Sequence, residues 1–304
     1  MTSMNKKRLG SAGFFKKYGE DYLFAAPFCI LFFIFTVVPV AASAILSFTN
    51  FNAIQPPRFV GFSNYFNLLL DDGLFLTALK NTLVLSVITG PLGFLLNFVV
   101  AWMANELGNR LRAIITLFFY APSIAGGAYS VWQIIYSGDV YGFLNGLLID
   151  FGITSTPIQW LTDTQYMMPA AIVAVLWLSF GTGFLSLISG FKNVDKSLYE
   201  AGAVDGVKNR YQELWYITLP TLKPQLMFSA VMSITGSFGM GGVITAIFGF
   251  PSSGYALHTL AHHMQDYGST RFEMGYASAI AVILFVIMVT ANGVIQRMLS
   301  KLGD

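Results

Sequence analysis

Residues 22–48 read YLFAAPFCILFFIFTVVPVAASAILSF, and this run decides the class of fold. It holds no Lys, Arg, Asp or Glu, and as a helix it outspans the roughly 30 Å hydrocarbon core of a bilayer, for which some 20 apolar residues suffice. Five more stretches qualify, at about 78–104, 111–136, 167–190, 224–249 and 274–297. Barrel strands alternate and cross in about 10 residues, so these continuous runs exclude a barrel. Of the 304 residues, 55% are hydrophobic and 11% charged, with mean hydropathy +0.63; soluble domains carry about 25% charged residues. The expectation is an all-α, polytopic membrane protein with six transmembrane helices in one domain over 22–297. A tail at 1–21 and a short end at 298–304 flank it.

Charge orients the helices. Lys6, Lys7, Arg8, Lys16 and Lys17 lie in the tail, and Arg110 and Arg112 beside the 105–111 turn. Lys192, Lys196, Lys208, Arg210 and Lys223 fall in the 191–223 loop, and Arg297 and Lys301 at the C-terminal end. The alternate loops hold only Arg58, Lys80 and Arg271, beside Asp71, Asp72, Asp139, Asp150, Asp163, Asp266 and Glu273. Cytoplasmic loops collect Lys and Arg, so both termini and the 191–223 loop are expected in the cytoplasm, as an even number of crossings requires. The first run also has the outline of a secretory signal, with Ala41-Ala42-Ser43-Ala44 as a cleavage pattern. It is too long for a signal core of roughly 7–15 residues, and its removal would put the C-terminus outside, so it is expected to remain as a helix. Cys29 is the single cysteine, which excludes an intrachain disulfide and a cysteine metal cluster.

The loop at 191–223 is a polar insert between apolar runs. Ser197 is expected to cap a helix with Glu200 at its third position. Leu198, Tyr199, Ala201, Ala203 and Val204 make a small apolar surface, and Gly206 can stop the helix in a left-handed turn. Asn209 to Tyr216 reads as a second short helix with Tyr211, Leu214 and Trp215 apolar, and Pro220 and Pro224 re-aim the chain. Two short helices then lie across the cytoplasmic mouth. Small residues admit a partner's groove, and Glu200 offers a charge to a cation there. On composition alone, a solvated loop that shields the pore explains it equally well.

The order Glu200-Ala201-Gly202-Ala203-Val204-Asp205-Gly206, then Ile217-Thr218-Leu219-Pro220, resembles the EAA coupling loop of ABC-importer permeases. That pattern is Glu-Ala-Ala, three residues, Gly, about nine residues and Ile-x-Leu-Pro. Gly202 replaces the second Ala, at about 1 kcal/mol of helix propensity. Ten residues rather than nine separate Gly206 from Ile217, which leaves the relative rotation of the two short helices open. Tyr22-Leu23-Phe24, Pro27, Pro39, Ser47-Phe48-Thr49, Phe59-Val60-Gly61, Asn64-Tyr65 and Asn81-Thr82 extend the likeness to carbohydrate permeases. It is nearest the MalF-like first permease of a pair rather than its MalG-like mate.

The resemblance implies a MetI-like permease bundle in a bacterial plasma (inner) membrane, paired with a second homologous permease subunit. It implies two ATPase subunits docking through Tyr199, Glu200, Ala201, Gly202, Ala203, Asp205, Gly206, Leu214, Trp215, Ile217, Leu219 and Pro220, with Tyr199, Leu214 and Trp215 packing at the joint. An extracellular sugar-binding protein would deliver the substrate. The chain would hold no cofactor, since ATP and Mg belong to the ATPase partners, and bind no nucleic acid.

Other classes fare worse on the residues. Gly190-Phe191-Lys192-Asn193-Val194-Asp195-Lys196-Ser197 nearly fits a phosphate-binding loop, but Asp195 would set a carboxylate against phosphate. ATP must then be hydrolysed by another chain. An ion-coupled secondary transporter is the alternative; such carriers bury an ionisable group at mid-membrane, and here Lys80 and Glu106 sit at span ends. His258 and His262 have the i, i+4 spacing of a metal-binding helix, yet no Glu lies between them, and with His263 they are expected to be solvated in an outer loop. No catalytic set is defensible, so the chain is not read as an enzyme.

A sugar path needs hydroxyls, amides and aromatic faces at mid-membrane. Ser229, Ser233 and Ser237 share a helix face, and Gly236, Gly239, Gly241 and Gly242 point to a break or close packing after them. Trp177, Ser179, Thr182 and Gly183 lie near mid-depth, with Asn97, Tyr120, Ser123 and Tyr129 as further candidates. The expected substrate path is Asn97, Tyr120, Trp177, Ser179, Thr182, Ser233 and Ser237. For each one singly, helix packing is the competing role.

Overall fold

The computed structural model describes residues 11–300, with side chains from residue 21 onward. Part of the expected tail, and residues 301–304 of the expected end, lie outside the described residues.

Among the described residues, six helical segments occupy the expected places, and three are unbroken by a turn. Ser11–Phe32 runs through a π-helical turn at Phe33–Val37 into Val38–Leu46. Pro39 has no N–H to give the preceding turn, and the ladder slips there. Gly73–Asn105 and Met274–Ser300 are continuous. These three are long and apolar enough to cross a membrane. Two bent pairs, Thr164–Leu178 with Thr182–Lys192 at 44° and Lys223–Phe238 with Gly241–Phe248 at 49°, bring the number to five. The expected third crossing at 111–136 is not one helix: Asn109–Ile124 ends and Ser130–Ile135 follows after a turn. Pro122 and Gly126-Gly127 interrupt it, with Gly127 at φ +90°. The fourth crossing, expected unbroken at 167–190, is divided at 179–181.

The second segment is the axis of the bundle. It starts at Gly73, ahead of the expected 78, because Asp72 caps it: Oδ1 accepts from Leu74 N at 3.0 Å and Phe75 N at 2.9 Å. Small residues let the fourth and fifth segments approach closely. A Cβ on Gly183 would lie 3.0 Å from Ser229 Oγ, one on Gly93 3.2 Å from Ser179 Oγ, and one on Gly90 3.2 Å from Ser237 Oγ. Toward the 191–223 insert, Ala101, Phe180, Phe184, Leu187, Phe191 and Leu226 form a shared core.

At the opposite end, Thr49–Asn50 pairs antiparallel with Arg58–Phe59, and Asn64 Nδ2 donates to the Ser47 and Thr49 carbonyls at 2.8 and 3.0 Å. Gly275 begins the last segment against this ribbon, its N–H donating to Phe51 O at 3.0 Å. A Cβ there would run into the Thr49 carbonyl, which is backbone and cannot swing aside. Gly275→Ala is therefore expected to cost about 3 kcal/mol and to lower the thermal unfolding midpoint of the purified protein. Gly73→Ala, whose added Cβ meets nothing within 4 Å, is the control. Equal midpoints would show that the ribbon does not pack on the helix in this way.

Candidate functional site

The polar insert folds as two short crossed helices. Lys196–Val204 is the first, and its cap is Asp195 rather than Ser197. Asp195 has extended backbone (φ −66°, ψ 127°) and accepts from Ser197 N at 2.9 Å; Ser197 falls inside the helix instead. The same N–H holds the Asp195 carboxyl below its ordinary range. The helix stops where expected. Gly206 has φ +94°, its N–H donates to Ala203 O at 3.3 Å, and Val207 N–H donates to Gly202 O at 2.9 Å. This is the double closure of a Schellman motif.

Both departures from the resemblance pattern now have one physical reason. Asn209 caps the second helix through Gln212 N at 2.9 Å. Arg210–Glu213 is α-helical, but Leu214–Thr218 is a π-helical turn. A π turn takes up about one residue more than an α turn. The added residue before Ile217 is thus wound into the helix, and Ile217 still reaches the first helix. It lands on Gly202, where a Cβ would lie 2.6 Å from Ile217 Cδ1. The smallest side chain sits where the two helices cross.

Tyr199 OH and Thr218 Oγ1, 3.0 Å apart, tie the crossed helices together. Arg210 pairs with Glu213 and with Glu106, both at 2.7 Å, which joins the insert to the end of the second segment. Glu213 raises the Arg210 pKa most, then Glu106. These exposed pairs fix position more than they add stability. The outward face is apolar: Val204 is 88%, Tyr211 74% and Trp215 61% exposed. Trp215 therefore faces outward, while Tyr199 and Leu214 are half-buried. Glu200 is exposed and has no hydrogen-bond or ion-pair partner among the described residues.

Deeper in the bundle, three helix interruptions border two neighbouring cavities. Leu178 and Met240 line both a cavity of about 150 Å³ at the fourth- and fifth-segment breaks and one of about 310 Å³ at the third-segment break. The smaller holds Asn97, Ser179, Thr182 and Ser233; the larger holds Ser123 and Tyr129. At a break, backbone N–H and C=O groups lose their helical partners, and at membrane depth that is tolerated where they line a cavity. Asn97 is 1% exposed, and its Nδ2 donates to Ser179 O at 3.2 Å and Ser233 Oγ at 3.4 Å. A carbonyl can only accept, so the amide nitrogen must face Ser179. That leaves Asn97 Oδ1 buried without a partner. No Asp, Glu, Lys, Arg or His lines either cavity.

Broken helices bordering cavities, with a folded insert at one end, suit a membrane passage, and comparison agrees. Residues 89–302 match the family described as binding-protein-dependent transport system inner membrane component. The chain belongs to that family. A probable ABC transporter permease protein of Bacillus subtilis (strain 168), YesP, is 34% identical over 288 residues, covering 92% of this chain and 89% of that protein. The arabinooligosaccharides transport system permease protein AraP of the same organism is 29% identical over 283 residues, covering 92% and 88%. A solved bacterial ABC transporter involved in the import of the acidic polysaccharide alginate superposes with TM-score 0.76 over 96% of this chain and 99% of that chain. At 21% identity it speaks for the fold alone. This permease is all-α and MetI-like, and its family is one of transporters, not of enzymes.

Of the expected path, the permease brings together Asn97, Ser179, Thr182 and Ser233. Tyr120 lies elsewhere, on a groove with Arg112 and Lys192. Trp177 stands edge-on to Trp132 at 5.7 Å between ring centres. Ser237 gives its hydroxyl to Ile234 O at 2.7 Å and packs toward Gly90. The apolar walls Leu178, Met232 and Met240 carried no sequence signal, being indistinguishable from lipid-facing residues.

The histidines contradict the expected solvated loop: His258, His262 and His263 are 2%, 2% and 1% exposed. Their loop is bound to the second segment. Asn81 Nδ2 donates to His258 O at 3.0 Å and Leu260 N donates to Thr82 Oγ1 at 2.8 Å. His263 Nε2, Tyr267 OH and Tyr276 OH meet Asp72 Oδ2 at 3.0, 3.2 and 3.1 Å. Burial raises the Asp72 pKa, but the Phe75 N–H, His263 and Tyr276 outweigh it and hold the carboxyl below its ordinary value. Asn81-Thr82 was the one hint in the sequence.

Proposed function

We propose that this permease is one of two pore subunits of an ATP-driven sugar importer in a bacterial plasma membrane. Its termini and the 191–223 insert face the cytoplasm, with one membrane domain over 22–297. Two ATPase subunits, which hold the ATP and Mg, dock on the crossed helices. ATP closes the motor dimer and carries the coupling helices together, turning the pore outward. A sugar-binding protein then releases its cargo into the cavity, and hydrolysis resets the pore.

One observation carries the sugar reading: Asn97, Ser179, Thr182 and Ser233 line one cavity that holds no ionisable side chain. Hydroxyl and amide side chains exchange hydrogen bonds with sugar hydroxyls, and this lining offers no cation to an anion. Relatives are named for arabinooligosaccharides and for lactose. One is named for sn-glycerol-3-phosphate, which the uncharged lining here does not favour. The test is uptake of labelled sugars by the purified complex in liposomes, comparing neutral oligosaccharides with uronates and phosphorylated glycerol. ATP-dependent uptake confined to neutral sugars is expected. Uptake confined to anions, or driven by an ion gradient without ATP, would overturn it.

A further inference from the structure

The outer helix Leu260–Gln265 is tied at both ends, and the ties have fixed proton positions. His262 Nδ1 faces the Thr259 N–H at 3.1 Å and the Thr259 hydroxyl at 2.8 Å. An N–H can only donate, so Nδ1 accepts and carries no proton. The ring proton is then on Nε2, which lies 3.0 Å from Gly241 O and 3.0 Å from Thr245 Oγ1. Gly241 opens the half-helix that follows the fifth-segment break. A Cβ on Gly241 would come 2.9 Å from Ala261 Cβ, so the outer helix rests directly on that half-helix. Through His263 and Asp72 the same helix is anchored to the start of the second segment.

We propose that neutral His262 is a positioning residue that sets the fifth-segment break beside the cavity, and that protonating it from outside releases the break and lowers transport. This rests on the reading that the cavity lies on the path. A proton on Nδ1 would point at the Thr259 N–H, and the half of the capping box in which that N–H donates to His262 would be lost. Among the described residues, no counter-ion pairs with His262. The His258 and Phe250 rings stack on His262 at 6.0 and 5.5 Å, and from the fifth segment it meets the Gly241 carbonyl and Thr245 hydroxyl. Asp72 is taken up by His263, Tyr267 and Tyr276, and Asp266 by Arg271 at 2.7 Å. Tyr267 carries Arg271 over its ring, and Glu273 N–H bonds to the Tyr267 carbonyl.

Burial lowers the His262 pKa, and the Gly241 carbonyl restores part of it. Burial, then His263 and His262, push His258 down to about 4. A histidine depressed in the folded state favours folding while neutral. The latch is thus complete above the ordinary histidine value of about 6.5 and is lost as pH falls below it toward the depressed values.

The test uses the complete importer in liposomes, with the face that meets the binding protein stepped from about pH 7.5 to 5 at fixed internal pH. Sugar affinity of the binding protein, measured over the same range, separates its own response. Wild-type uptake is expected to fall several-fold. His262→Gln keeps a donor for Gly241 but takes up no proton. It should retain at least about half of neutral-pH uptake and flatten the acid fall, whereas His262→Ala lowers uptake at every pH. An acid fall unchanged in His262→Gln would overturn the proposal. Nitrogen NMR of labelled wild-type protein reads the tautomer without any variant; a proton on Nδ1 instead of Nε2 would overturn it equally. If Asn97→Leu transports normally, the path reading has failed, a different result from either of these.

Discussion

Glu200→Lys is expected to leave the permease assembled in the membrane while ATP-driven uptake falls by about 100-fold or more. Glu200 is exposed on a capped and stopped helix and has no partner among the described residues, so its reversal costs the fold nothing measurable. Against an ATPase groove bearing a cation, the same reversal replaces a charge pair by repulsion. Disrupting a hydrogen-bonded interface charge pair costs about 2–5 kcal/mol, and about 3 kcal/mol corresponds to 100-fold. ATP hydrolysis should persist in the complex and lose its dependence on the sugar-loaded binding protein. Parallel measurement of hydrolysis and uptake in liposomes checks this. Normal uptake would mean that the helix is not the joint.

Asn97→Leu is expected to reduce uptake by about 10- to 100-fold, with ATPase coupling retained. Leucine is close to asparagine in length but offers the cavity no hydrogen-bonding group and leaves the Ser179 carbonyl without its donor. A lost buried hydrogen bond costs about 1–3 kcal/mol, which sets that range. The amount of folded protein, measured alongside, separates this from a packing effect. Ser237→Leu would push against Gly90, where even a Cβ comes within 3.2 Å of Ser237 Oγ, and should lower the amount of folded protein instead. Uptake by Asn97→Leu equal to wild type would remove the cavity from the path.

How far the sequence reached can be seen residue by residue. The apolar runs were legible because lipid imposes them, and the positions of the helical segments followed. One break was legible, where Gly236, Gly239, Gly241 and Gly242 cluster; the one at Gly126-Gly127 was not read despite its paired glycines. The break at 179–181 has one glycine and was missed, because a bend there depends on packing against the second segment. In the insert, Gly206 was readable as a stop because a left-handed residue is a local demand. The cap was misplaced by two residues because Asp195 and Ser197 are both good caps, and only backbone geometry chooses between them. The π turn at Leu214–Thr218 has no local signature, although the longer spacer was its trace. The outer histidines failed for the opposite reason. Their spacing drew attention to metal chemistry, while their partners, Asp72 and Gly241, are remote in sequence.

The most direct measurement places a photoreactive phenylalanine analogue at Val204, the 88% exposed tip of the first short helix, and irradiates the assembled complex. An adduct with an ATPase subunit, its yield changing when ATP is added, is the expected result. An adduct with the sugar-binding protein, or none in a complex shown to contain the ATPases, would contradict the assignment of this insert as the cytoplasmic joint.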